Sequence, residues 1–219
     1  MSKHRYSDIE RDAVYKAIFE RRDMRHFTSE AVDPAVLQRL LVAAHHAPSV
    51  GFMQPWRFIR ITDRALRGQL YDAFAEEVQR TAEQLSEKSQ AVRGLKLEGI
   101  REAGEILVVT LQDRRDQYVL GRRTMPEMDL ASASCAIQNM WLAARAEGLG
   151  LGWVSIFEPD TLRELLSIPD GASPIAILCI GHVDEFYPEP MLATENWRQR
   201  LDIEQVVMEN QWQDDDFEQ

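Results

Sequence analysis

The sequence predicts a single α+β domain spanning residues 1–219. Helix-forming and strand-forming segments follow one another irregularly, without the strict strand–helix–strand alternation of a doubly wound sheet. Neither a G-x-G-x-x-G nor a G-x-x-x-x-G-K-[ST] loop occurs, so dinucleotide-binding and P-loop architectures lack their signatures. The chain has 219 residues, 45% of them hydrophobic, which suits one sizeable core and is short for two.

Each element has its own signal. Ser7-Asp8-Ile9-Glu10 reads as a capping box opening a helix, with Val14 and Ile18 at helical spacing beyond it. Asp33-Pro34 reads as N-cap and first turn of a second helix, whose apolar face is Leu37, Leu40, Leu41 and Ala44 and which Pro48 stops. Trp56–Ile61 is a strand. A long polar stretch, about 64–103, is helical, with breaks possible at Gly94 and Gly99. Ile106–Leu111 is a buried strand by its apolar run, and Asp113–Glu127 a charged loop. Leu130–Glu147 is a helix ended by Gly148 at the C′ position. A strand over Leu151–Phe157, a short helix over Asp160–Leu166 and a last buried strand over Ile175–Val183 complete the core elements. From about residue 184 to 219 the chain is polar, poor in apolar periodicity, and ends in an acidic run, Asp214-Asp215-Asp216, read as solvated.

Composition excludes several classes of function. A formal charge of −11 argues against a nucleic-acid partner and against docking to anionic lipid. The polar N-terminus lacks the apolar stretch of a signal peptide and no run reaches spanning length, so the expectation is a soluble cytoplasmic protein. Cys135 and Cys179 both lie in apolar segments and read as buried free thiols. No zinc-type spacing occurs and no metal is expected; His45-His46 read as helix-end histidines.

Four segments carry chemistry-bearing residues. Arg21-Arg22-Asp23-Met24-Arg25 places three arginines and one carboxylate at a helix end, an arrangement suited to a phosphate or a polarised carbonyl. A solvated helix end is the plainer reading of the same residues. Pro48-Ser49-Val50-Gly51-Phe52-Met53-Gln54-Pro55-Trp56 is a stiff helix-to-strand connection in which Gly51 permits close approach to a planar ligand. Core packing is the alternative for Phe52 and Met53. Gly148-Leu149-Gly150-Leu151-Gly152-Trp153-Val154-Ser155 lets backbone come near something flat, or is simply a cap and turn. Asn196-Trp197-Arg198-Gln199-Arg200 offers two arginines that could share one phosphate, or a surface pair.

In this order the four segments resemble the FMN-binding framework of the nitroreductase-like family, over about residues 11–201. Asp23 stands where most members carry Ser or Thr, and Phe52 where they usually carry Asn. Both departures are similar to a branch that fragments its own reduced FMN. The resemblance implies a nitroreductase-like fold, a central, mainly antiparallel sheet flanked by helices. It implies a homodimer with two FMN sites at the subunit interface, swapped C-terminal arms over about 184–219, and a helical lid over about 64–103.

The implied reaction consumes reduced FMN and molecular oxygen. It yields 5,6-dimethylbenzimidazole, the lower ligand of cobalamin, with erythrose 4-phosphate as co-product, and a separate flavin reductase supplies the reduced FMN. Under this resemblance Arg21, Arg22, Arg198 and Arg200 hold the phosphate or edge of FMN, and Met24 and Arg25 lie with them, Arg25 near the pyrimidine ring. Pro48, Ser49, Gly51, Phe52, Met53 and Gln54 pack along ring and ribityl chain. Asp23 is the candidate base near the ribityl C1′ carbon, and Ser155 the group that orients an intermediate. An NAD(P)H-dependent nitro- or quinone reductase and a non-catalytic flavin carrier are the competing readings.

Overall fold

A computed structural model describes residues 4–85 and 96–212. Ser7 caps helix α1 (Asp8–Glu20) with the expected reciprocal box: Glu10 N–H donates to its hydroxyl and Ser7 N–H to the Glu10 carboxylate. Asp33 caps α2 (Pro34–His45) through Ala35 N–H at 2.7 Å. Strand β1 (Trp56–Arg60) follows, then α3 (Arg64–Gln84), capped by Asp63. Beyond β2 (Glu105–Leu111) come α4 (Met128–Ala146), β3 (Gly150–Val154), α5 (Pro159–Leu166) and β4 (Ser173–Gly181).

The strands form an antiparallel sheet in the order β1-β2-β4-β3. Period-2 alternation sends Leu107, Val109 and Leu111 of β2 to one face and Ile106 and Val108 to the other. The first face packs on α2 and α4 through Leu40, Ala44, Ile137 and Met140. The second packs on α3 and α5 through Leu70, Phe74 and Leu162. A sheet covered on both sides explains why every residue of β2 is buried. The α+β class is therefore observed, with helices on both faces of an antiparallel sheet.

Several elements depart from the sequence reading. The helix expected over 64–103 ends at Gln84; its middle, residues 86–95 with Gly94, lies outside the described residues. Residues 96–103 are not helical. Ile100 and Ala103 are core, and Gly99 lies so close to Phe27 that a Cβ there would meet the ring at 2.2 Å. β3 stops at Val154, where the chain turns toward Pro159 at the start of α5, so Ser155 lies just past the strand. Cys179 is buried, but Cys135 is exposed, because α4 turns that position away from the sheet. No residue of α1 is buried: Val14 and Ile18, which repeat at helical spacing, are exposed together with Ile9, Tyr15 and Phe19.

The chain divides into two units, Met1–Phe186 and Tyr187–Gln219. Within its described residues the second unit contains two one-turn helices, α6 (Met191–Thr194) and α7 (Ile203–Val206). Its acidic end, Asp214–Asp216, lies outside the described residues. No helix among the described residues is long and apolar enough to cross a membrane, and no group of His, Cys, Asp and Glu among them could hold a metal ion.

Candidate flavin site

Strand β3 lies at the edge of the sheet, and an edge strand presents unpaired backbone groups. The Arg21–Arg25 segment covers that edge. Arg21 leaves α1 in an extended conformation, Asp23 bridges Leu151 in parallel, and Met24 N–H donates to Leu151 O at 3.1 Å. One residue further, side chains take over. The Asp23 carboxylate accepts from Trp153 N–H at 2.9 Å, and Arg25 Nη2 donates to Trp153 O at 2.9 Å. Arg25 also pairs with Asp23 directly. Both polar groups of one β3 peptide position are thus held by an acid–base pair, two residues before Ser155.

Glycines make this contact possible. A Cβ on Gly152 would stand 2.2 Å from Met24 O, and one on Gly150 would meet Val183 and the Met24 side chain. The flat partner expected beside the glycine-rich turn is, at these two positions, the protein's own Asp23–Arg25 segment. Gly148 has φ +77° and closes α4, with Leu149 N–H returning to Ala144 O at 2.8 Å.

The members of the arginine segment differ in what they can offer. Arg21 lies over the Trp141 ring at 4.5 Å and is half-buried. Arg22 donates from Nη1 to the carbonyls of Phe19 and Arg21, which is the helix-end arrangement. Met24 has its side chain wholly in the core, so only its backbone is available to a ligand. Arg25 is buried at 7% exposure. Asp23 keeps a partly open carboxylate, with 42% of its side-chain surface exposed. Desolvation raises its pKa above the ordinary carboxylate value, against the opposing pull of Arg25 and the Trp153 N–H. Burial of the acid outweighs the nearby arginines. Ser155 is exposed beside this cluster in sequence.

The second cluster is the connection between α2 and β1. Gly51, Phe52 and Gln54 have φ of +53°, +54° and +50°. Two non-glycine residues in the left-handed region within three positions mark a strained turn, and such strain concentrates at ligand sites. The turn is held by Ser49 Oγ accepting from Gln54 N–H at 3.0 Å and by Val50 N–H donating to Ser132 Oγ on α4 at 3.0 Å. Phe52 is 81% exposed, whereas Met53 is buried. Phe52, Met53 and Gln54 line an open cavity of about 680 Å³ with His45, Trp56 and Tyr118. Asp23 and Ser155 do not line it. Trp56 Nε1 donates to His45 Nδ1 at 3.2 Å, so His45 serves as an acceptor there. Pro48 is exposed at the start of this segment, and Gly51 receives Leu120 of the neighbouring loop, where the sequence reading had placed a planar ligand.

The two clusters are anchored at different points of α4. Trp141 Nε1 donates to Arg22 O and Ser132 Oγ accepts from Val50, both from α4. Nine residues separate these anchors, which is about 14 Å along the helix axis and half a turn around it. Arg198 and Arg200 belong to the second unit, where both are exposed.

A model of the nitroreductase family matches residues 18–182. The chain belongs to the nitroreductase family. It is 44% identical over 187 residues to a protein of Rhodospirillum rubrum named 5,6-dimethylbenzimidazole synthase, covering 84% of this chain and 89% of that one. A protein of Rhodobacter capsulatus with the same name is 39% identical over 202 residues, covering 91% and 97%. Among solved structures, iodotyrosine deiodinase bound to FMN and 3-iodo-L-tyrosine superposes with a TM-score of 0.72 at 22% identity, over 91% of this chain and 100% of that one. That likeness establishes the nitroreductase-type fold.

The donor set of this nitroreductase-family chain fits FMN. Arg21 and Arg25 both act electrostatically on Asp23, and guanidinium groups so placed suit a phosphate or an anionic ring edge. The exposed Phe52 ring and the strained Gly51–Gln54 backbone suit a planar aromatic group.

Proposed function

We propose that this chain converts reduced FMN and molecular oxygen to 5,6-dimethylbenzimidazole, with erythrose 4-phosphate as co-product. Kinship with two named synthases at 44% and 39% identity carries the reading. Asp23 adds to it, because a partly desolvated carboxylate beside a fixed cation is a chemical group that a simple flavin carrier does not require. When bound, reduced FMN supplies both the electrons that oxygen takes up and the carbon skeleton of the product.

The chain's own residues prepare that reaction. Asp23 accepts a proton from the ribityl C1′ carbon, the carbon that becomes C2 of the benzimidazole. A raised pKa makes its carboxylate a stronger base than an ordinary aspartate. Arg25, held by Asp23 and Trp153 O, fixes the carboxylate and places positive charge beside the flavin pyrimidine ring. Ser155 presents a hydroxyl from the end of β3 to orient an intermediate. Arg21, Arg22, Arg198 and Arg200 hold the phosphate. Pro48, Ser49, Gly51, Phe52, Met53 and Gln54 pack along ring and ribityl chain, together with the backbone of Met24.

A homodimer completes the site. The Asp23 and Gly51 clusters are anchored on opposite sides of α4, so one flavin meets both when they come from different subunits. The exposed apolar residues of α1, among them Ile9, Phe19 and Tyr15, provide surface for such association. The swapped arm over about 184–219 brings Arg198 and Arg200 to a partner's phosphate. A separate flavin reductase supplies reduced FMN in the cytoplasm. Stopped-flow mixing with NADH or NADPH tests this point: bound FMN stays oxidised for many turnovers' time, whereas rapid bleaching indicates a self-sufficient reductase.

Ser155→Gly separates binding from orientation. The variant is expected to bind FMN as the parent does and to lose most of its benzimidazole yield, measured by mass analysis after reoxidation. Parental yield would assign Ser155 to the scaffold.

A further inference from the structure

We propose that Asp129 is a positioning residue for flavin, acting through the 113–127 loop on the Gly51 turn; this rests on the function proposed above. Asp129 lies in the first turn of α4 and is 5% exposed. A carboxylate so placed is costly unless it is paired. Its Oδ2 accepts from Arg115 Nε at 2.8 Å and from Arg122 Nε at 3.2 Å. Arg115 also donates to Gly171 O at 3.0 Å. The two arginines bracket residues 116–121, so a single carboxylate oxygen draws both ends of that loop to one point.

The held loop presses on the flavin-facing turn. A Cβ on Gly51 would stand 2.9 Å from Leu120 O, and one on Gly121 would meet Val50 Cγ2 at 2.7 Å. Val50 N–H is bonded from the other side to Ser132 Oγ, which lies three residues after Asp129 on the same face of α4. One helix face therefore grips the turn twice. Ser132 holds it directly, and Asp129 holds the loop that backs it. The left-handed conformations of Gly51, Phe52 and Gln54 persist only where their surroundings over-determine them, and these two grips are such surroundings. Asp129 is buried and acts through Arg115 and Arg122.

Anaerobic calorimetric titration with reduced FMN, beside thermal unfolding, tests this. Asp129→Asn is expected to raise the Kd for reduced FMN at least about tenfold, and Asp129→Glu to recover most of the loss by restoring the charge. Arg122→Gln leaves the Arg115 pair in place and raises the Kd by a smaller factor, so it serves if Asp129→Asn does not fold. Gly121→Ala, which disturbs the same contact on Val50, is expected to add less on the Asp129→Asn background than on the parent. Arg39→Ala breaks an exposed pair with Glu147 at the other end of α4 and is expected to leave the Kd unchanged. The inference is overturned if both Asp129→Asn and Arg122→Gln bind reduced FMN within about twofold of the parent, below the coupling expected of a buried pair. It is equally overturned if Arg39→Ala weakens binding as they do. A parent that binds no reduced FMN overturns this inference and the proposed function together. A binding parent with unchanged variants overturns this inference alone.

Discussion

Asp23→Asn is expected to bind FMN with near-parental affinity and to lose benzimidazole formation by at least about a hundredfold. The amide preserves the shape of Asp23, and its oxygen can still accept from Trp153 N–H, so the β3 edge remains sealed. Arg25 keeps its bond to Trp153 O. What is lost is the capacity to take a proton, together with the charge pairing to Arg25. The same assignment fixes the direction of the pH dependence in the parent. A base works when ionised, so the rate of the proton-transfer step falls as pH falls through the folded-state pKa of Asp23. Burial raises that pKa, so the midpoint lies above the ordinary carboxylate value and is absent from Asp23→Asn. Single-turnover measurement across pH with reduced FMN and oxygen reads both effects. Near-parental product from Asp23→Asn would remove Asp23 from the base role while leaving its structural role at the sheet edge.

Gly152→Ala is expected to lower product formation about a hundredfold and to weaken FMN binding at once. The added methyl group would stand 2.2 Å from Met24 O, a backbone atom with no flexible end to swing aside. Relief requires the Asp23–Arg25 segment to move off β3, which breaks the Met24–Leu151, Asp23–Trp153 and Arg25–Trp153 contacts together. Overpacking of this kind costs about 1–3 kcal/mol of stability. Displacement of the acid and cation by about 1 Å is enough to lower the rate about a hundredfold. Thermal unfolding and FMN titration of the same preparation distinguish the two effects. Gly148→Ala is a useful contrast: it meets no atom within 4 Å and has only the strain of φ +77° to bear. Its cost is expected in stability and not in product per bound flavin.

These expectations come from local rules that the sequence displays and from contacts that it does not. The capping box at Ser7, the Asp33-Pro34 start and the Gly148 stop were legible because each rests on neighbours within a few residues. The apolar run of β2 was legible because both faces of the sheet are covered. The purpose of Gly152 was not, because the Met24 backbone that fills its space lies more than a hundred residues away in sequence, and Gly150 makes room for Val183 and the Met24 side chain. The raised pKa of Asp23 was equally hidden: three arginines are visible in the sequence, whereas the burial that outweighs them belongs to the folded chain. The helical pattern of α1 was legible, but its outward-facing Val14 and Ile18 were not, since periodicity marks an apolar face without saying what it meets. Asp129 gave no motif at all. Its partners, Arg115 and Arg122, are ordinary members of a charged loop until folding brings them onto one carboxylate oxygen. The likeness of four short segments to one family carried the flavin expectation, and the long reach of the family model from residue 18 to 182 agrees with it.

The most direct measurement loads the protein with reduced FMN without oxygen, admits air, and identifies the small molecules by mass. The account predicts 5,6-dimethylbenzimidazole at the expense of FMN. Intact FMN with hydrogen peroxide as the other product would contradict it.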